Sequence, residues 1–101
     1  MPRPRIPRIV NFQPEVTYFK PRGIPLRFLS EVILNIDELE ALRLADFENS
    51  DQPVAAKKMK ISQSTFQRIL SSAHQKVAQA LIQGEAIRIE GGTYRIRSKG
   101  E

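Results

Sequence analysis

Gln63, Ser64, Gln67 and Arg68 place amide, hydroxyl and guanidinium groups at a spacing that gathers them on one side of a helix. Polar, hydrogen-bonding side chains at a helix start suit the edges of bases in a major groove, where glutamine pairs with adenine and arginine with guanine. The opposite side of the same stretch carries Phe66, Ile69, Leu70, Ala73, Val77 and Leu81 at helical spacing. Upstream, QPVAAKKM (52–59) puts Val54, Ala55 and Met59 on one helical face, and KIS (60–62) interrupts the pattern. Ser62 is placed to cap the second helix, small Ala55 and Ala56 permit a close crossing, and Ile61 supplies an apolar plug in the turn. The pattern predicts a helix-turn-helix over 52–83, with Lys57, Lys58 and Lys60 as phosphate anchors beside the base-reading side chains. Lys60 stands where such a turn favours glycine, and a left-handed backbone there costs a non-glycine residue roughly 1–2 kcal/mol. Two amphipathic helices and a turn also occur as purely structural pairs, and that alternative stays open.

Other chemistry finds little support. His74 is the single histidine, sits mid-helix, and has no acidic or serine partner at motif spacing; with no cysteine in the chain, a zinc or catalytic role is not expected. The carboxylates of Asp37, Glu38 and Glu40 are read as helix capping and dipole complements rather than an acid/base pair. Gly91-Gly92 lacks the spacing of a phosphate-binding loop. No catalytic residue, cofactor or metal is expected, and the protein is read as non-enzymatic.

The 101 residues suit one domain, with 41% hydrophobic and 27% charged residues as in an ordinary globule. The formal net charge of +5 is uneven: residues 1–30 and 52–101 are basic, whereas 31–51 hold seven acidic residues against Arg43 alone. Both flanks therefore attract a polyanion. No run approaches the roughly 18 apolar residues of a membrane span, and the N-terminus lacks the apolar core of a signal peptide, so a cytoplasmic location is expected.

Four prolines in residues 1–14 exclude a helix or central strand and predict an extended basic arm. Arg3, Arg5 and Arg8 on it would follow phosphates or enter a minor groove; the alternative is a terminus that orders only against its own domain. A domain over 15–97 follows. EVTYFK (15–20) suits a short strand, PRGIP a rigid bend, and 26–34 is ambiguous between a helical turn and an extended connection. Asn35 and Glu38 form a capping-box pattern that opens a helix over 36–47, with Ile36, Leu39, Leu42 and Phe47 on a broad apolar face supporting the helix-turn-helix. Ser50 or Asp51 caps the next helix, and Gly84 ends the long one. Alternation in AIRIEGGTYRIR (86–97) predicts a two-residue hairpin at Gly91-Gly92, with Ile89 opposite Tyr94, Ile87 opposite Ile96, and Arg88, Arg95 and Arg97 forming a basic wing. Residues 98–101 are a tail.

YFKPRGIPL (18–26), DELEALRLAD (37–46), KMKISQSTFQRIL (58–70), KVAQAL (76–81) and IRIEGG (87–92) together resemble a small prokaryotic family catalogued as a domain of unknown function, with members described as predicted DNA-binding proteins. The resemblance covers nearly the whole chain. It implies a mainly α, three-helical fold like sigma-factor region four, with a small β element made of the N-terminal strand and C-terminal hairpin, and a recognition helix starting near Gln63. Relatives commonly carry glycine where this chain has Lys60, and arginine where it has Gln63 and His74, which shifts expected readout at Gln63 from guanine toward adenine. The function expected is sequence-specific binding of double-stranded DNA by a transcriptional regulator. A homodimer through the 73–83 helix half or the hairpin is left open. One rival is a protein-interaction adaptor, docking a transcription-machinery protein on the acidic 36–51 face. An RNA-binding module is disfavoured, because no aromatic pair stands on an evident basic strand.

Overall fold

The computed structural model of the chain describes residues 7–97. Its elements are β1 (Arg8–Val10), β2 (Tyr18–Phe19), a 3-10 turn (Leu26–Phe28), β3 (Glu31–Leu34), α1 (Ile36–Leu42), α2 (Gln52–Lys58), α3 (Gln63–Gln83), β4 (Ala86–Ile89) and β5 (Tyr94–Ile96). Three helices and two small sheets make up the described residues. β2, β4 and β3 form one sheet in that order, while β1 and β5 form a separate parallel pair.

The sheet pairing overturns the expected hairpin. β4 runs parallel to β3, with Val32 opposite Ile87 and Leu34 opposite Ile89, and antiparallel to β2; β5 leaves to pair with β1, with Ile9 opposite Arg95. Gly91 and Gly92 do adopt positive φ of 74° and 99°, the sign a two-residue hairpin turn requires. They use it instead to pass close to the start of α1. The Gly91 carbonyl accepts the Ile36 N–H at 3.0 Å, and a Cβ on Gly92 would stand 2.5 Å from Asp37 Oδ1. The chain is thereby turned away from β4.

Residues 8–10 are likewise not a free arm. Ile9 and Val10 are buried in β1, and Val10 packs against Leu34, Ile36, Ala73 and Ile89. The alternation of buried Val32 and Leu34 with exposed Glu31 and Ile33 resolves the ambiguous 26–34 stretch as a 3-10 turn followed by a strand with one face inward.

α1 begins as expected, with the Glu38 carboxylate accepting the Asn35 N–H at 2.8 Å. It then widens into a π-helical turn, Arg43–Phe47, marked by the bond from the Glu48 N–H to the Arg43 carbonyl at 2.8 Å. A π turn rotates successive side chains less than an α turn. Leu44 stays buried, and Phe47 is carried out of the core to 80% exposure, so it does not join the expected supporting face.

α3 spans two apolar clusters. Its head contributes Phe66, Ile69 and Leu70 to a core with Ala41, Leu44, Ala55, Ala56 and Met59. Ala73 packs in a second core with Val10, Leu34, Ile36 and Ile89. Gly84, with φ of 66°, ends the helix in the left-handed conformation. No helix among the described residues is long and apolar enough to cross a membrane.

Candidate nucleic-acid interface

The head of α3 is set by a local cap. Ser62 Oγ accepts the Thr65 N–H at 3.1 Å and lies 2.8 Å from the Thr65 hydroxyl, satisfying a donor that the first helical turn leaves free. Phe66 is fully buried, and this fixes the rotation of the helix. Gln63, Ser64, Gln67 and Arg68 consequently all lie exposed along its outer side. The Ser64 hydroxyl sits 3.2 Å from that of Ser62; the Gln63, Gln67 and Arg68 side chains have no hydrogen-bonding or ionic partner among the described residues.

α2 crosses behind this surface with Ala55, Ala56 and Met59 buried and Lys57, Lys58 and Lys60 exposed. Val54 is 47% exposed rather than on the buried face, which is formed by Ala55, Ala56 and Met59. Lys60 has φ of 56°, the left-handed conformation expected there. Ile61 packs partly buried against the first core.

The acidic residues of α1 do more than cap it. Buried Glu40 accepts both Nε–H and Nη2–H of Arg43, at 2.7 and 2.9 Å, and the Asn11 N–H at 2.9 Å; donating to Glu40 keeps the Arg43 guanidinium above its usual pKa. Glu38 also accepts Ser72 Oγ at 2.5 Å and Lys76 Nζ at 2.7 Å. Burial opposes its charging, yet the bonds from Lys76, Ser72 and Asn35 outweigh burial and hold its pKa below the ordinary value. Asp37 moves the other way: burial dominates and raises its pKa, despite Arg8 nearby. None of these tertiary ties is visible in the spacing of the three carboxylates.

Of the arm arginines, Arg3 and Arg5 lie outside the described residues. Arg8 does not follow the expected arm: in β1 its Nε lies 4.0 Å from Asp37 Oδ2, with the side chain 12% exposed, and its Nη1 is buried without a hydrogen-bond partner among the described residues. It is turned into the domain rather than along a duplex. The basic wing also divides. Arg88 is engaged by Glu31 at 2.8 Å and by Glu90 at 3.5 Å, whereas Arg97 lines a cleft with Lys57, Lys58 and Lys60. Sequence spacing missed this convergence, since it depends on β5 pairing with β1.

His74 has an acidic neighbour after all, with Nε2 2.6 Å from Asp46 Oδ2 across 28 residues of sequence. Both side chains are about half exposed, and no nucleophile contacts the imidazole among the described residues. Nor do three metal-ligating side chains converge there.

The model of a family described as a protein of unknown function, DUF134, matches residues 1–97. A UPF0251 protein of Caldanaerobacter subterraneus subsp. tengcongensis is 56% identical over 96 residues, covering 95% of this chain and 81% of the relative. One from Moorella thermoacetica is also 56% identical over 96 residues, covering 95% of this chain and 64% of its own. One from Desulforudis audaxviator is 56% identical over 94 residues, covering 93% and 61% respectively. No solved structure matches the chain.

Proposed function

The chain belongs to the DUF134 family of proteins of unknown function, and we propose that it is a cytoplasmic, non-enzymatic, sequence-specific DNA-binding protein that regulates transcription through a sigma-region-four-like helix-turn-helix. The observation that carries this is the continuous outward face of Gln63, Ser64, Gln67 and Arg68 at the capped head of α3, with Gln63, Gln67 and Arg68 unpartnered among the described residues. Side chains held on a rigid helix but not spent on contacts within the domain are free to meet base edges. Lys57, Lys58 and Lys60, which have no ion-pair partner among the described residues, lie where phosphate contacts would fix the register. At its other end α3 exposes Leu81 by 75% and Ile82 by 85%, an apolar tip through which two copies could present recognition helices to successive half-sites. Selection from a random pool of duplex DNA tests the proposal. Recovery of a motif is expected, with two-fold symmetry if the protein dimerises; a pool that stays random after repeated rounds contradicts sequence-specific binding.

A second reading has one feature in its favour. Beside the π turn, Phe12, Leu42 and exposed Phe47 line an apolar groove of about 670 Å³ whose rim carries Asp46 and Glu48. An adaptor could receive there an apolar anchor flanked by basic residues, as from a transcription-machinery protein. Such a partner would depend on Phe47 and be indifferent to Arg68.

A further inference from the structure

α1 and the π turn that continues it hold α3 on both flanks. Ser72 Oγ and Lys76 Nζ donate to the Glu38 carboxylate at 2.5 and 2.7 Å, and His74 Nε2 lies 2.6 Å from Asp46 Oδ2 in the π turn. On the helix, Ser72 and Lys76 fall to one side of the direction of Ser64 and His74 to the other. Phe66, Ile69, Leu70, Ala73 and Ala80 are buried on the side opposite Ser64. What remains is a strip between the two flanks. At about 100° per residue, Gln67, Arg68, Ser71 and Gln75 all point within about 60° of Ser64, and all five side chains are exposed.

The two neighbouring serines mark how sharply the strip is bounded. Ser72 is engaged by Glu38, which leaves Ser71 facing outward one turn beyond Gln67 and Arg68, with Gln75 one turn beyond that. Farther along the same direction stand Ala78 and Ile82, both exposed, so the strip is polar as far as Gln75 and apolar after it. Its chemistry is of one kind. None of the 21 residues of α3 is Asp or Glu, so no carboxylate of this helix repels a polyanion along the strip. The amides and hydroxyls there both donate and accept, as contact with base edges requires.

We propose that the base-reading face does not end at Arg68 but runs on to Ser71 and Gln75, with Ser71 a specificity-determining residue in the third turn and Gln75 the last contact of the face. This rests on the DNA-binding reading and sets the extent of what α3 reads. Ser64 to Gln75 spans about 17 Å at about 1.5 Å per residue, against about 3.4 Å per base pair, so one copy covers about five base pairs. A rigid helix lying in a groove maps its own axis onto the duplex. The order of these residues along α3 is therefore the order of the base pairs they contact.

The test is selection from a random pool of duplex DNA with the full chain and with Gln67→Ala, Arg68→Ala, Ser71→Ala, Ser71→Asn, Gln75→Ala and Ser72→Ala, comparing the recovered motifs position by position. Ser71→Ala should reduce the preference at one base pair by about fivefold, the lower end of what a base contact supplies. That base pair should lie nearer one end of the motif than those altered by Gln67→Ala and Arg68→Ala, and Gln75→Ala should alter the position at that end. Ser71→Asn should bring adenine to the Ser71 position, because an asparagine amide pairs with adenine through both of its groups. Ser72→Ala, which loses the bond to Glu38, should lower thermal stability and return the parent's motif. If the Gln67 and Arg68 variants alter the motif while the Ser71 and Gln75 variants return it unchanged, the face ends at Arg68 and the inference is overturned with the DNA-binding reading intact. Changes that fall out of the order of residues along α3 overturn it as well. A change with the Ser71 variants alone retains that residue and overturns the assignment of Gln75. A pool that yields no motif, or a motif that none of the α3 variants alters, overturns both this inference and the reading on which it rests.

Discussion

The Ile9 N–H donates to the Met59 carbonyl at 3.0 Å, so a strand near the start of the chain is fastened to the turn that precedes α3. β1 is part of the frame that holds the candidate interface. Val10, next to Ile9, is 1% exposed in the core shared with Leu34, Ile36, Ala73 and Ile89.

Val10→Ala should therefore destabilise the whole domain by about 2 kcal/mol, from lost apolar burial and a small residual cavity. Chemical denaturation should show a lower midpoint with an unchanged slope. A midpoint equal to the parent's would mean that β1 is not packed as described. A deletion intended to remove only the N-terminal basic residues must stop before Arg8, or it removes part of this core.

Lys60→Gly should raise stability by about 0.5–1 kcal/mol. Glycine relieves the positive φ of 56°, and the gain exceeds its larger entropy loss on folding. The same variant should bind duplex DNA more weakly, because it removes a cation from the proposed phosphate contacts. Thermal melting and a salt titration report the two effects separately. A variant no more stable than the parent would refute the claim of strain at this turn.

What the sequence makes legible is local. Ser62 as a cap, Phe66 as the inward register, Gly84 as a terminator and left-handed Lys60 all follow from interactions within a few residues. Partner choice is different. The alternation and the two glycines of 86–97 fit a hairpin by every local measure, and even the sign of φ at Gly91 and Gly92 agrees. The strands nonetheless pair with β3 and β1, 50 or more residues away in sequence, because Gly91 and Gly92 pack against Asn35 and Asp37. The site inherits the same split. The face of α3 is readable from spacing, while Arg97 joining the α2 lysines and Arg8 turning inward depend on strand pairing that periodicity does not encode.

Glu38→Gln should make acid stability less steep. Its folded pKa lies below the ordinary glutamate value of about 4.3, so its charged contacts stabilise the fold fully above that value and are lost as pH falls through the lower folded value. The variant should be less stable than the parent at pH 7 by about 1.5–3 kcal/mol, the range for hydrogen bonds to a charged group, and the gap should close toward pH 3. Asp37, whose pKa is raised, contributes with the opposite sign: its share is present at low pH and fades as pH rises through the raised value. Denaturation midpoints across pH 3–7 check both signs. A constant gap between parent and Glu38→Gln would show that the charge of Glu38 is not what stabilises the fold.

The central claim is that the outward face of α3 reads bases, and it is tested most directly by fluorescence anisotropy on a selected duplex and a scrambled one at fixed salt. Gln67→Ala and Arg68→Ala should each narrow the difference in binding free energy between the two by roughly 1–3 kcal/mol while leaving the fold intact. Variants that discriminate the two duplexes as well as the parent does would contradict base reading by this helix, however strongly the lysines still held the backbone.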